Sequence, residues 1–261
     1  MAKKRDRIIL IVCVIVFVVA AGSLLFKWYT EKKAQERFEA LSETVTEETE
    51  METEADIFSE LGIENPNKVL NWENLWQENE DIYAWIYVPN TNMDYPILQH
   101  ETDNTYYLNY NLDGSKGYPG CIYTENLNAK DFSDNNTVIY GHNMKNGTMF
   151  ADVHKFEDET FFEENSYVYI YMPNEILIYE IFAVYEFTDA HILYSYDCAS
   201  TDGYEEYLNM VYDTYGNKGL FRDDATVSEQ QKIITLSTCI SGKADKRLLL
   251  QAVLIGSEQE L

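Results

Sequence analysis

The sequence predicts a mainly β domain, its strands closed into a barrel or packed as a sandwich, behind one membrane-spanning helix. Three observations carry that expectation. From about Pro66 onward, at least seven short runs rich in Ile, Val, Tyr and Thr are separated by Asn, Asp, Gly and Pro. The chain holds 21 tyrosines, which suit strands with one wet face. A little under 200 residues follow the N-terminal segments, room for one core, and that many strands in one core demand closure or face-to-face packing.

The first element is apolar. Residues 8–26, IILIVCVIVFVVAAGSLLF, carry no charge. As a helix rising about 1.5 Å per residue they reach roughly 28 Å, close to the hydrocarbon thickness of a bilayer. A cleavable signal peptide is the competing reading, through Ala20-Ala21-Gly22-Ser23, but its apolar core is usually shorter. An uncleaved anchor is therefore expected, with residues 1–7 as a basic cytoplasmic tail. Lys3, Lys4, Arg5 and Arg7 precede the span, and Lys27, Lys32, Lys33 and Arg37 follow it. That tie in basic residues is broken by Glu31, Glu36 and Glu39 on the second flank, which favours the N-terminus inside and the domain outside.

Residues 27–65 read as an extracytoplasmic spacer, most clearly SETVTEETEMETEAD at 42–56, which has no base or aromatic residue. An acidic helix continuing from EKKAQERFEAL is the alternative. The globular domain is set at 66–261. NPNKVLNWENLWQENEDIYAWI places Val69, Trp72, Leu75 or Trp76 and Asn79 at helical spacing, so one or two helices open it. The strand runs follow: IYVPNTNMDYPIL, YPGCIYT, NNTVIYGH, SYVYIYM, EILIYEIFAVYEF, KIITLSTC and RLLLQAVLIG. One segment breaks that texture. In STDGYEEYLNMVYDTYG, Ser200 or Asp202 can cap a helix whose Tyr204, Tyr207, Leu208 and Val211 share a face.

Composition excludes some functions. The formal net charge is −26, and because a basic cluster precedes the span, the chain beyond the span is more acidic still. Such a surface repels nucleic acid. Cys13 lies in the span, leaving Cys121, Cys198 and Cys239, so at least one thiol outside it stays free. The histidines and cysteines show no metal-ligand spacing, no glycine-rich phosphate loop is present, and no cofactor is expected.

The chemistry concentrates near the C-terminus. KIITLSTC and RLLLQAVLIG are joined by ISGKADK, whose Gly242 suits a tight return. If the strands pair antiparallel, Cys239 and Arg247 stand at one mouth, where a guanidinium can stabilise a thiolate or an oxyanion. A buried cysteine beside a solvent-facing arginine is the alternative. A cysteine nucleophile needs an imidazole partner. Among His100, His142, His154 and His191, the best placed is His142, at a strand end before the loop NMKNGTMF; His154 and His191 fit surface or satisfied structural roles.

TLSTC at 235–239, the arginine eight residues on, and YGHNM followed by GTMF together resemble the sortases, class B in particular. ENEDIYAWIYVPNTNMDYPILQ and DNTYYLNYNLDGSKGYPGCIYT extend the resemblance, which spans about 66–256. It implies a closed eight-stranded β-barrel with N-terminal helices and a helix in the long loop before the cysteine strand. It also implies Cys239 as nucleophile, His142 as acid/base partner and Arg247 as oxyanion or positioning cation, with Asn104, Leu108 and Ser237 lining the peptide groove. The implied partners are the sorting motif of a secreted protein, of an Asn-Pro or Pro-x-Thr type, and a peptidoglycan amine. The acid that follows the cysteine in some class B members is absent here: the position is Ile240, and Asp245 is the nearest acid. Competing readings are an L,D-transpeptidase or cell-wall cysteine hydrolase, and a non-catalytic, membrane-tethered β-barrel. The first lacks its histidine and glycine in SEQQKIITLST, just upstream of the cysteine.

Overall fold

The computed structural model describes residues 2–42, 57–222 and 225–259, with side chains from Ile9 onward. Residues 43–56, most of the acidic spacer, lie outside it. The chain opens with α1 (Ala2–Ser42), one helix that is long and apolar enough to cross a membrane. No described residue of its apolar stretch is buried. Its C-terminal turns do not stand clear of the barrel: Phe38 and Leu41 are buried, Phe38 packs edge-on against Tyr95 at 5.4 Å, and Arg37 pairs with Glu78 and Asp113. Two short helices follow, α2 (Ile57–Leu61) and α3 (Trp72–Glu78).

The helical spacing read from Val69 to Asn79 yields α3 from Trp72 onward. Asn71 caps α3 by accepting from the Asn74 amide, and Asn79 stops it, its side chain accepting from the Asp81 amide in a tight turn. Ile82–Tyr87 then form β1, because alternating aromatic and aliphatic residues pack better on a pleated, half-buried surface than around a helix.

The other strands are β2 (Asp94–Leu98), β3 (Ile122–Thr124), β4 (Asn136–Tyr140), β5 (Tyr167–Met172), β6 (Glu175–Thr188), β7 (Leu220–Phe221), β8 (Ile233–Ile240) and β9 (Lys243–Gln259). Their order is β5-β1-β2-β3-β4-β8-β9-β6, and β5 pairs again with β6. That last pairing closes an eight-stranded barrel and leaves β7 as a short addition on β6. The β2–β3 and β4–β8 pairs are parallel and the rest antiparallel, so the barrel is mixed. Closure removes the unpaired edges that an open sheet would present.

Helices α4 (Tyr106–Asn109), α5 (Glu159–Glu164), α6 (Ile192–Ser195) and α7 (Thr201–Tyr215), with a 3-10 helix at Phe150–Glu157, occupy the connections. α7 is the helix expected before the cysteine strand. Ser200 caps it by accepting from Gly203, and Tyr204, Tyr207, Leu208 and Val211 are buried on one face.

Two-residue alternation along β8 divides the core. Ile234 and Leu236 join the cluster that fills the barrel, while Ile233 joins a second cluster beneath α7. On that outer face Gln251 is fully buried and fully bonded: it donates to Tyr207 Oη (2.7 Å) and Thr235 Oγ1 (2.8 Å) and accepts from Tyr185 Oη (2.9 Å). This network fixes α7 on the sheet. Ser237 and Cys239 continue the same face beyond it, so the outer face of β8 runs from a packed core straight into an open cleft.

Candidate active site

Cys239 sits directly opposite Arg247 in the β8–β9 ladder, one position before the register slips towards the turn. The return is tight: Ile240 pairs with Lys243, and Gly242 takes φ +80°, a left-handed conformation glycine adopts without a Cβ clash. Arg247 donates from Nη1 to the carbonyls of Ala244 (3.0 Å) and Lys246 (2.8 Å). Only one nitrogen of its fork is used in those bonds.

His142 reaches the same place by a different route. β4 runs parallel to β8 with Tyr140 opposite Ser237, so both strands end at the same rim. The Gly141 amide donates to the Ser237 carbonyl (3.2 Å), and Thr238 Oγ1 donates to the Gly141 carbonyl (2.8 Å). The next residue is His142. A Cβ at position 141 would stand 2.5 Å from Ile122 Cδ1 and 2.6 Å from Phe150 Cγ, so this close approach requires glycine. The imidazole lies 5.0 Å from the Tyr118 ring, and its Nε2 donates to the Leu108 carbonyl at 2.8 Å. In the neutral ring that leaves Nδ1 as the basic nitrogen.

Cys239, His142, Arg247, Leu108 and Ser237 line one cleft of about 380 Å³. Asn104 lies just outside the lining; its side-chain oxygen instead accepts from the Asn126 amide (2.9 Å) and braces the neighbouring loop. Among the described residues no hydrogen bond joins the Cys239 thiol to His142 or Arg247. Such contacts often tighten only when substrate fills the site.

The other cysteines fall out as nucleophiles. Cys121 and Cys198 are free and buried, whereas Cys239 is exposed. Burial pushes the Cys121 thiol far above its usual range and that of Cys198 up to about 11, which holds both protonated and inert. Among the described residues no cluster of His, Cys, Asp and Glu converges on a metal position.

Two features escaped sequence reasoning. Asn143 Nδ2 donates to the Cys239 carbonyl (2.9 Å) and lies 2.9 Å from His154 Nε2, while His154 Nδ1 bonds Glu157 at 2.6 Å. His154 is thus a satisfied structural histidine, placed behind the Cys239 backbone. His191 also lines the cleft, with Nε2 held at 2.8 Å by the buried carboxylate of Glu125. The one local signal was the polar residue directly after His142.

The chain is similar to known proteins in sequence and in fold. The sortase domain family model matches residues 86–255. Sortase B of Listeria monocytogenes is 37% identical over 182 residues, which cover 68% of this chain and 71% of that protein. Among solved structures, sortase B of Clostridium perfringens superposes with a TM-score of 0.64 at 32% identity, covering 71% of this chain and all of that one. Sortase B from B. anthracis, in complex with AAEK1, gives 0.67 at 30% identity, covering 88% and 99%.

Proposed function

The chain belongs to the sortase family, in its class B, and from that premise we propose that it is a membrane-anchored cysteine transpeptidase whose site is Cys239, His142 and Arg247. The observation that carries the assignment is the register: antiparallel β8–β9 sets Arg247 opposite Cys239, and parallel β4–β8 brings His142 to the same rim. The apolar half of α1 anchors the protein and the barrel faces outward.

Each residue has a physical task. The Cys239 thiolate attacks the scissile carbonyl of a sorting motif, forming a C–S bond while the carbonyl oxygen becomes an oxyanion. Arg247 stabilises that charge with N–H donors already fixed by its loop. Collapse of the intermediate breaks the C–N bond, and His142 gives its Nδ1 proton to the leaving amine. The Leu108 carbonyl accepts from Nε2–H, so Nδ1 is the nitrogen that exchanges the proton. The thioester then waits for a peptidoglycan amine. His142 takes the amine's proton, a new amide forms, and sulfur leaves as the thiolate. Leu108 and Ser237 serve as walls for the bound peptide, and Asn104 holds the loop that carries Leu108.

The test uses the full chain in micelles with a panel of quenched fluorescent peptides of Asn-Pro and Pro-x-Thr types, with and without hydroxylamine. Cleavage accelerated by hydroxylamine and lost in Cys239→Ala identifies a thioacyl intermediate and the motif. Undiminished cleavage in Cys239→Ala would overturn the assignment, and no cleavage with an unreactive Cys239 would favour a binding barrel.

A further inference from the structure

We propose that the His142 side of the catalytic cleft is held against the lipid headgroups of the membrane that α1 spans, with Tyr118 as the barrel's own contact with that layer. The inference rests on the anchored reading of α1. It concerns where the cleft opens, which that reading leaves undetermined.

The apolar span ends at Phe26, and the helix continues without a break to Ser42. Trp28 and Tyr29 follow the span directly and are about 60% exposed, the place and exposure of an interfacial aromatic belt. Lys27 therefore lies at headgroup level, in a polar layer roughly 5–8 Å deep on each face of a bilayer. The Lys27 ammonium sits over the Tyr118 ring at 5.4 Å, and the same ring lies 5.0 Å from the His142 imidazole. The membrane-flanking lysine and the proposed acid/base residue thus share one aromatic neighbour. Tyr118 is 52% exposed on the barrel, an amphipathic side chain at the depth such side chains favour.

The pose is fixed, because α1 is tied to the barrel a few turns further on. Phe38 and Leu41 are buried, and Arg37 pairs with Glu78 and Asp113. A continuous helix clamped at Arg37–Leu41 leaves the barrel little freedom to swing away from Lys27. Lys27 and Lys32 pair along the helix with Glu31 (3.7 Å) and Glu36 (3.5 Å), so this flank of an otherwise acidic protein is nearly balanced in charge and does not repel an anionic membrane surface. The opposite end of the barrel is remote: the β5–β6 turn at Asn174 lies beside Glu175, which pairs with Gln259 at the far end of β9 from Arg247. A cleft opening at the headgroups favours reactants still tethered to the bilayer, since tethering raises their effective concentration there.

The test places a spin label at Tyr118→Cys or Asn174→Cys in a Cys13→Ser, Cys239→Ala background of the full chain, reconstituted in vesicles of phosphatidylcholine and phosphatidylglycerol. Accessibility to membrane-soluble oxygen, relative to an aqueous nickel chelate, is expected to be several-fold higher at 118 than at 174. A label at 118 as water-accessible as that at 174, or shielded from both probes, in protein that resists carbonate extraction overturns the proposal and leaves the anchor intact. Protein extracted by carbonate overturns the anchor and the proposal together. As a second measurement with Cys239 intact, inserting Ala-Glu-Ala-Ala-Ala-Lys-Ala between Glu31 and Lys32 lifts the barrel by about 10 Å. Cleavage of a lipid-tethered peptide should then fall several-fold while cleavage of the free peptide holds; equal use of both peptides by the two proteins contradicts the proposal.

Discussion

Cys239 and Arg247 face each other across the last regular rung of β8–β9, with the guanidinium held by two carbonyls of its own loop. Replacing Arg247 by Lys keeps the charge and loses the planar fork. The expected result is a fall in kcat of about 100-fold or more, the usual cost of losing an oxyanion donor, with KM little changed. Initial rates on the cleaved peptide decide it, and a near-wild-type rate would remove Arg247 from the mechanism.

Gly141 determines how closely His142 approaches β8. Gly141→Ala forces a methyl into Ile122 and Phe150, an overpacking that typically costs about 1–3 kcal/mol. Urea unfolding should show that loss. Because the backbone must shift to relieve it, kcat/KM should fall further than the stability loss explains, when both are measured where the variant is fully folded.

Gln251 is a structural counterpart to the site. Gln251→Leu nearly preserves volume but removes one hydrogen bond each from the buried hydroxyls of Tyr185, Tyr207 and Thr235, the last of which still donates to Asn136 (2.8 Å), so a total loss of about 1–3 kcal/mol is expected. A lowered melting temperature with retained thiol reactivity at Cys239 is expected. Unchanged stability would show that the network rearranges around the leucine.

In a Cys13→Ser chain, a thiol reagent near pH 8 should modify Cys239 alone, and Cys121 and Cys198 only in denaturant. The same burial has an alkaline consequence. Cys198 is raised from 9.0 to about 11, so between those values the native state keeps a proton that the unfolded chain has lost. Stability should therefore decline as pH rises through that window. Cys198→Val should flatten the decline in pH-dependent urea unfolding.

The legible parts of the sequence were those coded by near neighbours. Ser200 and the apolar stripe of α7 declared a helix, and Gly242 between two apolar runs declared the hairpin that pairs Cys239 with Arg247. The position of His142 was only half legible. Its strand end could be read, but its adjacency to Cys239 comes from parallel pairing of β4 with β8, which leaves no local trace. The His191–Glu125 pair and the Asn143–Cys239 bond link residues 66 and 96 positions apart and were illegible for the same reason. Residues 27–42 misled through composition, since their charges concealed that Phe38 and Leu41 face the barrel.

The parallel β4–β8 pairing also sets a timetable. A chain delivered N-terminus first presents its histidine long before its cysteine, and the Asn143–Cys239 bond must close a loop of 96 residues. Loop closure of that length costs on the order of 4 kcal/mol in chain entropy, recovered only once strands on both sides of β8 are present. β9 is the last of them, and it also binds β6 along most of its length. A nascent chain therefore holds Cys239 apart from its full surroundings until β9, its final strand, is available to pair with β8.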